Sequence, residues 1–445
     1  MTTIFSHLKE SRRLLKTRWK SLPAHLQVPN QVVGKHWVQC GYTMGPSYCS
    51  FGCTHCYLPR NSNRVPLVGL EAMKEQIQAA RKALGAGGGL QITGGDVIDA
   101  YWREDRAEEL VAVIRFAVDS GLVPMLMTHG QKLIEFPDYL HRLVVEGGLR
   151  KISCHIDITQ AGRPGFPIKY QLDEASLNPL RDKLVSAILK VRKDTGLEVT
   201  AAQTVTVTEK NVNHIGEILH WLMERPENLD VTRTISFQTE AQVGRTQTII
   251  DGVSPGQVWQ EICKATGKRI VRDNLLFGHP DCSSTATLLV RPRDRRVVLL
   301  SGGDDHYRTF YEQLLNTFSG ICARGENNIS SLILQIYLVI RRPVFVLHFI
   351  KFIFFLFARQ GLTIGFMGSV LRAKARGINI VMHNFMSAEQ VQSRTPVVID
   401  RLNACSFRGE IKVAGEWRSV PMCAMNAGPR EALYNLKQSE SRVQN

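Results

Sequence analysis

Cysteine is scarce in this chain: ten residues in 445 are too few for a secreted disulfide scaffold. Acidic residues are in the minority, 40 against 55 lysines and arginines, for a formal net charge of +15. No internal repeat of fixed period is present, which excludes solenoids and propellers. The composition lacks the extremes of collagen-like or disordered chains. There is no aromatic-plus-basic strand motif of the RNA-binding kind, so no nucleic acid is expected as a partner. The first residues, MTTIFSHLKESRRLLKTRWKSLP, hold no apolar core and no small-residue cleavage site of a signal peptide. The expectation is a cytoplasmic protein, where thiols stay reduced and can bind metal.

The cation excess asks for a nucleic acid, an anionic membrane surface or an anionic substrate. Within residues 1–36, Phe5, Leu8, Leu15 and Trp19 recur at helical spacing, with Lys9, Arg12, Arg13, Lys16 and Lys20 around them. Such a helix either lies on a membrane surface or packs on the body of the protein with its basic side solvated.

Residues 37–268 alternate short β-like runs with helical patterns. Strands are expected at 37–42, 90–93, 123–128, 151–156, 198–207 and 233–238. Helices are expected near 69–84, 105–120, 134–146, 175–194, 211–224 and 255–266. Six alternations with crossover helices predict an α/β fold, a (βα)6 partial TIM-type barrel of parallel strands. Chemistry is then expected just after the strands. Residues 269–435 read as an α+β extension with a hairpin at 285–300, and 436–445 as a disordered tail.

The strongest local signal is Cys49-Ser50-Phe51-Gly52-Cys53-Thr54-His55-Cys56, a C-x3-C-x2-C loop directly after the first strand. Three thiolates so close together suit a soft metal or an iron–sulfur cluster. Three ligands leave one iron of a 4Fe–4S cluster open, whereas structural zinc wants a fourth ligand. A zinc knuckle is the bland alternative. A second signal is Leu90-Gln91-Ile92-Thr93-Gly94-Gly95-Asp96, a strand running into a turn where glycines let backbone approach a ligand closely. His155 and Asp157 share a strand face, either as a proton-moving pair or as a buried hydrogen-bonded one. Gln238, Glu240, Gly244 and Arg245 follow the sixth strand.

The cysteine spacing and its place after the first strand resemble the radical S-adenosylmethionine (SAM) superfamily. The resemblance implies a 4Fe–4S cluster on Cys49, Cys53 and Cys56, whose open iron chelates the SAM methionyl group. It further implies reductive cleavage of SAM to a 5′-deoxyadenosyl radical, a flavodoxin or ferredoxin reductant, His55 near the adenine, and Gly94, Gly95 and Asp96 at the SAM amino group. Gln238 and Arg245 are candidates for the SAM ribose and carboxylate. Asp96 stands where the family carries Glu.

Outside the triplet, Cys282, Cys405 and Cys423 are expected to form an auxiliary iron–sulfur or mononuclear metal site, with Cys322, His383 or His279 as fourth ligand; the alternative is three separate buried thiols. His279-Pro280-Asp281-Cys282, Met382–Met386 and Met422–Ala427 resemble the superfamily branch with archaeal tetraether-lipid synthase and the pterin methyltransferase relatives. The chain has no cysteine before Cys40, so an N-terminal metal module of that branch is missing.

Residues 330–360 are the most apolar stretch. Arg341, Arg342 and Lys351 interrupt it and Pro343 breaks a helix, which argues against a span. On one continuous helix Arg341, His348, Lys351 and Arg359 would fall in a single arc, leaving a wide apolar face for a membrane interface. These features together predict a radical SAM enzyme, peripheral on the inner face of the cytoplasmic membrane, that modifies an unactivated carbon of a lipid or other apolar substrate by C–C bond formation or methylation. A soluble maturase of a cofactor or peptide, and a non-enzymatic iron–sulfur or zinc protein binding RNA, are the alternatives.

Overall fold

The computed structural model describes residues 2–53, 55–163, 173–246, 252–303, 305–319, 336–337 and 339–433. Cys322, the tail at 436–445 and the first part of the apolar stretch lie outside the described residues. Among the described residues, eleven strands form one mixed sheet: β1 Cys40–Tyr42, β2 Gly89–Ile92, β3 Val123–Thr128, β4 Lys151–His155, β5 Thr200–Val207, β6 Thr232–Thr239, β7 Ser283–Arg291, β8 Arg296–Leu299, β9 Arg376–Asn384, β10 Phe407–Val413 and β11 Glu416–Pro421. Their spatial order is β11-β10-β1-β2-β3-β4-β5-β6-β9-β7-β8.

The pairings from β10 through β1 to β6 and on to β9 are all parallel. β11 and the β7–β8 hairpin are antiparallel. The six alternations expected from the sequence are therefore present, but the parallel run is longer. β9 and β10, from the region expected to be an extension, pair with the two edges that six strands would leave bare. An unpaired parallel edge exposes backbone N–H and C=O groups, and these late strands satisfy them.

Crossover helices follow the expected pattern, for example Leu70–Leu84, Ala107–Asp119 and Asn178–Thr195. They bury residues such as Met73, Ile77, Ile114 and Ile188 against the outer face of the sheet. The N-terminal helix Thr2–Ser21 packs on the rest of the protein through its second half. Leu15 is buried, and the Arg18 guanidinium donates to the Asn403 and Cys405 carbonyls at 3.0 and 2.8 Å. Glu10 pairs with Arg81 at 2.7 Å. Lys9, Arg12, Arg13, Lys16 and Lys20 on the same helix are exposed.

No single described helix is long and apolar enough to cross a membrane; helices Pro343–Arg359 and Ile364–Leu371, bent by 118°, pass that test only as a pair. Arg342 stands outside the helix that Pro343 opens, because proline cannot donate to a preceding turn. Arg341 therefore does not share an arc with His348, Lys351 and Arg359, correcting the continuous-helix expectation. Phe345 and Phe352 pack inward on Phe310, Phe352 also meets Tyr307, and Leu356 is buried. Val346, Leu347, Ile350 and Phe354 remain exposed.

Candidate functional site

A cavity of about 710 Å³ is lined by side chains from β1 to β7, β9 and β10. Cys49, Cys53 and Cys56 all face it, on the long loop between β1 and the helix Leu70–Leu84. Burial pushes all three thiols upward, Cys53 to about 12. Their mutual repulsion adds to the effect on Cys49 and Cys53. Such thiols become thiolates only when a cation neutralises them, which is what a metal centre does.

The loop is held from several directions. The Asn63 side chain donates to the Cys49 carbonyl at 2.9 Å and accepts from the Cys49 N–H at 3.2 Å. Arg245 donates to the Phe51 carbonyl at 3.2 Å and to Ser62 Oγ at 2.8 Å, while its own N–H donates to the Cys56 carbonyl at 2.9 Å. Arg245 thus grips the cysteine loop, where the sequence suggested a SAM contact. Asp99 accepts from the Ser50 N–H and hydroxyl and lies 2.8 Å from His129 Nε2. The His129 ring stacks on Phe51 at 3.8 Å, and Arg163 lies over the other ring environment of Phe51 at 5.0 Å. Ligand groups of Cys49, Asp99 and His129 lie within 4.8 Å of one another, close enough to hold a metal ion.

The Gly94-Gly95 turn also serves this loop. A Cβ on Gly94 would sit 1.8 Å from the Pro46 carbonyl oxygen, and one on Gly95 2.0 Å from that of Tyr48. The Gly95 N–H donates to the Pro46 carbonyl at 2.8 Å. What approaches these glycines is the backbone leading to Cys49. Asp96 caps the helix Val97–Arg103: its carboxylate accepts from the N–H groups of Asp99 (2.9 Å) and His129 (2.6 Å) and from Thr128 Oγ1 (2.7 Å). Asp96 lines the cavity but is 3% exposed, and these donors occupy both its oxygens.

His155 and Asp157 do meet, His155 Nε2 lying 2.5 Å from Asp157 Oδ2, but β4 ends at His155 and Asp157 stands just beyond it, so the pair does not share a strand face. Burial opposes both charges. Each partner outweighs it for the other, so the imidazole is held above its usual range and the carboxyl below. Asp157 also accepts from Thr159 and from the Thr206 N–H at 2.7 Å, which orients it. His155 lines the cavity, so the pair offers an oriented imidazole to whatever enters. His55 Nδ1 lies 2.6 Å from Glu240 Oε2. These two and Gln238 form another polar patch on the same wall.

Cys282, Cys405 and Cys423 come from three distant parts of the chain and are free thiols. After burial, the main influence raising the Cys423 thiol to about 12 is Cys405, followed by Cys282 further down. Cys282 itself is raised to about 11, with Cys405 among the causes. The Cys405 thiol itself donates to the Phe407 carbonyl at 3.2 Å. Arg401 Nε donates to Cys282 Sγ at 3.5 Å. Nearby, His383 is held near pKa 4 by burial, and its Nδ1 lies 2.9 Å from Ser283 Oγ. A neutral imidazole is the form able to ligate a metal. His279 Nδ1 accepts instead from the Asp281 N–H at 3.1 Å.

Asn63, Asp99 and Arg163 were not singled out from sequence. Asp99 lies three residues beyond Asp96 on the first turn of its helix, which is the one local signal available. Asn63 and Arg163 sit in irregular segments with no periodicity to mark them. No protein-family model matches the chain, and no curated protein matches it.

Proposed function

We propose that this protein is a radical SAM enzyme acting on a lipid or other apolar substrate at the inner surface of a membrane. The single observation carrying the reading is the C-x3-C-x2-C loop. It follows the first strand of a long parallel run, and all three thiols face one large cavity. We infer the same curvature that a partial barrel has. His383 on β9 and Phe407 on β10, at opposite ends of the parallel run, have ring centroids 4.9 Å apart.

The cysteines suit a 4Fe–4S cluster: they are free, partly buried and line one cavity from a single loop. Bound there with SAM, the cluster would supply the electron that cleaves SAM to methionine and a 5′-deoxyadenosyl radical able to take a hydrogen atom from carbon. The chain's own residues do the remaining work. Asn63, Arg245, Asp99 and His129 fix the loop, while Gly94 and Gly95 let it seat against β2. His155 lines the cavity with its Nε2 held by Asp157, which leaves Nδ1 as the ring position to exchange a proton. The paired His55 and Glu240 offer polar contacts for the cofactor. Cys282, Cys405 and Cys423, with His383 beside them, suit an auxiliary metal. The exposed apolar face of 343–359 supports membrane contact, with Lys351 and Arg359 for anionic headgroups.

A second reading rests on the Cys49–Asp99–His129 group: a mononuclear zinc-type centre without radical chemistry. Anaerobic reconstitution with iron and sulfide, followed by metal analysis and incubation with SAM and dithionite, decides between them. The radical reading expects cluster absorbance and release of 5′-deoxyadenosine, lost when Cys49, Cys53 and Cys56 are all changed to Ala. A zinc-only protein, or SAM cleavage surviving the triple change, overturns it.

A further inference from the structure

Between Glu326 and Glu389 the chain carries no carboxylate side chain, but seven lysines and arginines. Most of the large apolar side chains exposed among the described residues fall in the same stretch, within 336–371. Exposed apolar surface gathered in one segment marks an interaction site. Cations without acidic neighbours along the chain give that site one sign of charge.

Local structure shapes this surface. Gly361 takes a left-handed φ of +72°, a conformation open to glycine. The Thr363 hydroxyl then accepts from the Phe366 N–H at 3.2 Å and caps a new helix. The helix Pro343–Arg359 therefore stops, and Ile364–Leu371 starts after a bend of 118°. This second helix holds no charged residue. Ile364, Met367 and Leu371 stand at i, i+3 and i+7, on one face, and are 83%, 38% and 87% exposed. No other large apolar side chain among the described residues is as exposed as Ile364 and Leu371. Phe366, on the opposite face, is fully buried and holds the helix to the core.

Cations reach this helix from three parts of the chain. Lys268 donates to the Gln360 carbonyl at 3.5 Å, and Arg296, which opens β8, to that of Gly361. Arg291, itself paired with Asp294, lies 5.0 Å over the Phe366 ring and donates to Ser369 Oγ at 3.4 Å. These three brace the bend. Arg359, which ends the first helix, and Arg372 and Lys374, just after the second, are exposed. None of those three has a carboxylate partner among the described residues.

We propose that Ile364–Leu371 is a membrane-inserting wedge: Ile364, Met367 and Leu371 enter the apolar layer of an anionic leaflet, while Arg359, Arg372 and Lys374 meet its phosphates. The charge selects this occupant. A second copy seated on the same face would set like cations against one another, whereas an anionic lipid surface neutralises them and covers the apolar residues at once. The wedge rests on the membrane reading above and deepens it, placing insertion on the second helix rather than on 343–359 alone.

The test titrates the full chain with vesicles of phosphatidylcholine, alone or mixed with phosphatidylglycerol. Flotation reads binding, and hydrogen exchange with mass analysis locates the contact. Binding should be at least tenfold tighter to the anionic vesicles, and residues 361–375 should gain protection on them. Ile364→Glu/Leu371→Glu should weaken that binding at least tenfold while the cooperative melt stays unchanged. Each surface cation is worth roughly fivefold, so Arg372→Gln/Lys374→Gln should weaken it at least tenfold too. This second pair keeps the test valid if the first does not fold. Arg12→Gln/Arg13→Gln, an equal loss of charge on the N-terminal helix, should leave binding unchanged. Equal binding to both vesicles, no protection over 361–375, or a loss confined to the Arg12/Arg13 pair overturns the wedge. Self-association without vesicles that Ile364→Glu/Leu371→Glu disperses assigns the face to a second copy and overturns it as well. Flotation lost in Leu347→Glu/Phe354→Glu but kept in Ile364→Glu/Leu371→Glu overturns the wedge and leaves the membrane reading standing. A wild-type chain that floats with neither vesicle removes both.

Discussion

Replacing Gly95 by Ala should unseat the cysteine loop, and the neighbouring Gly52 supplies the contrast. A Cβ at Gly95 would lie 2.0 Å from the Tyr48 oxygen, 2.4 Å from its carbonyl carbon and 2.6 Å from the Ser47 oxygen. All three are backbone atoms, so no side chain can rotate away. Restoring even a tight 3.0 Å contact needs a movement of about 1 Å in the segment that delivers Cys49. Overpacking of this kind costs about 1–3 kcal/mol, so roughly 5- to 150-fold fewer molecules hold the loop in place. A Cβ at Gly52, inside the same loop, meets nothing within 4 Å. The assay is iron and sulfide content after anaerobic reconstitution, with a thermal melt of each protein. Gly95→Ala should load poorly and melt lower, while Gly52→Ala should match the wild type. Equal loading and equal melting of both variants would refute the seating role of the glycine turn.

Two further outcomes follow from the electrostatics and the apolar surface. His155 is held above its ordinary value of 6.5 by Asp157, so its stabilising contribution is full below that value and is lost as pH climbs through the raised one. The ionised Asp157, held low, contributes throughout that range. The urea stability gap between wild type and His155→Gln should therefore be larger at about pH 6 than at about pH 9; a gap that is constant or grows with pH contradicts the pairing. Leu347 and Phe354 are 60% and 69% exposed, so changing both to Glu should leave the melt within about 0.5 kcal/mol of wild type. The same change should abolish flotation with liposomes containing anionic lipid, and undiminished flotation would remove this face from the membrane contact.

Much of the parallel run was legible because crossover helices and buried strands have separate periods, and 123–128 was read to the residue. The cysteine loop was legible because ligand spacing is local. The helix-capping role of Asp96 was not legible because a carboxylate after a strand can serve a ligand or cap a helix, and sequence does not say which donors surround it. The grip of Arg245 on the cysteine loop was hidden for the same reason. The apolar segment was read as one helix across Arg342–Pro343, where the proline start of the second helix should have carried more weight.

By itself the sequence determined the alternating strands and helices, the three-thiol loop after the first strand and the apolar stretch. Each depends on residues near one another along the chain, where periodicity and spacing carry the information. Only the tertiary structure decided that β9 and β10 cover both edges of the parallel run. It alone clamped the loop with Asn63, Asp99 and Arg245, and brought Lys151 and Arg233 into the lining of the same cavity. Those relations join residues tens to hundreds of positions apart. They follow from strand order, register and one bulge, which side-chain chemistry alone does not specify.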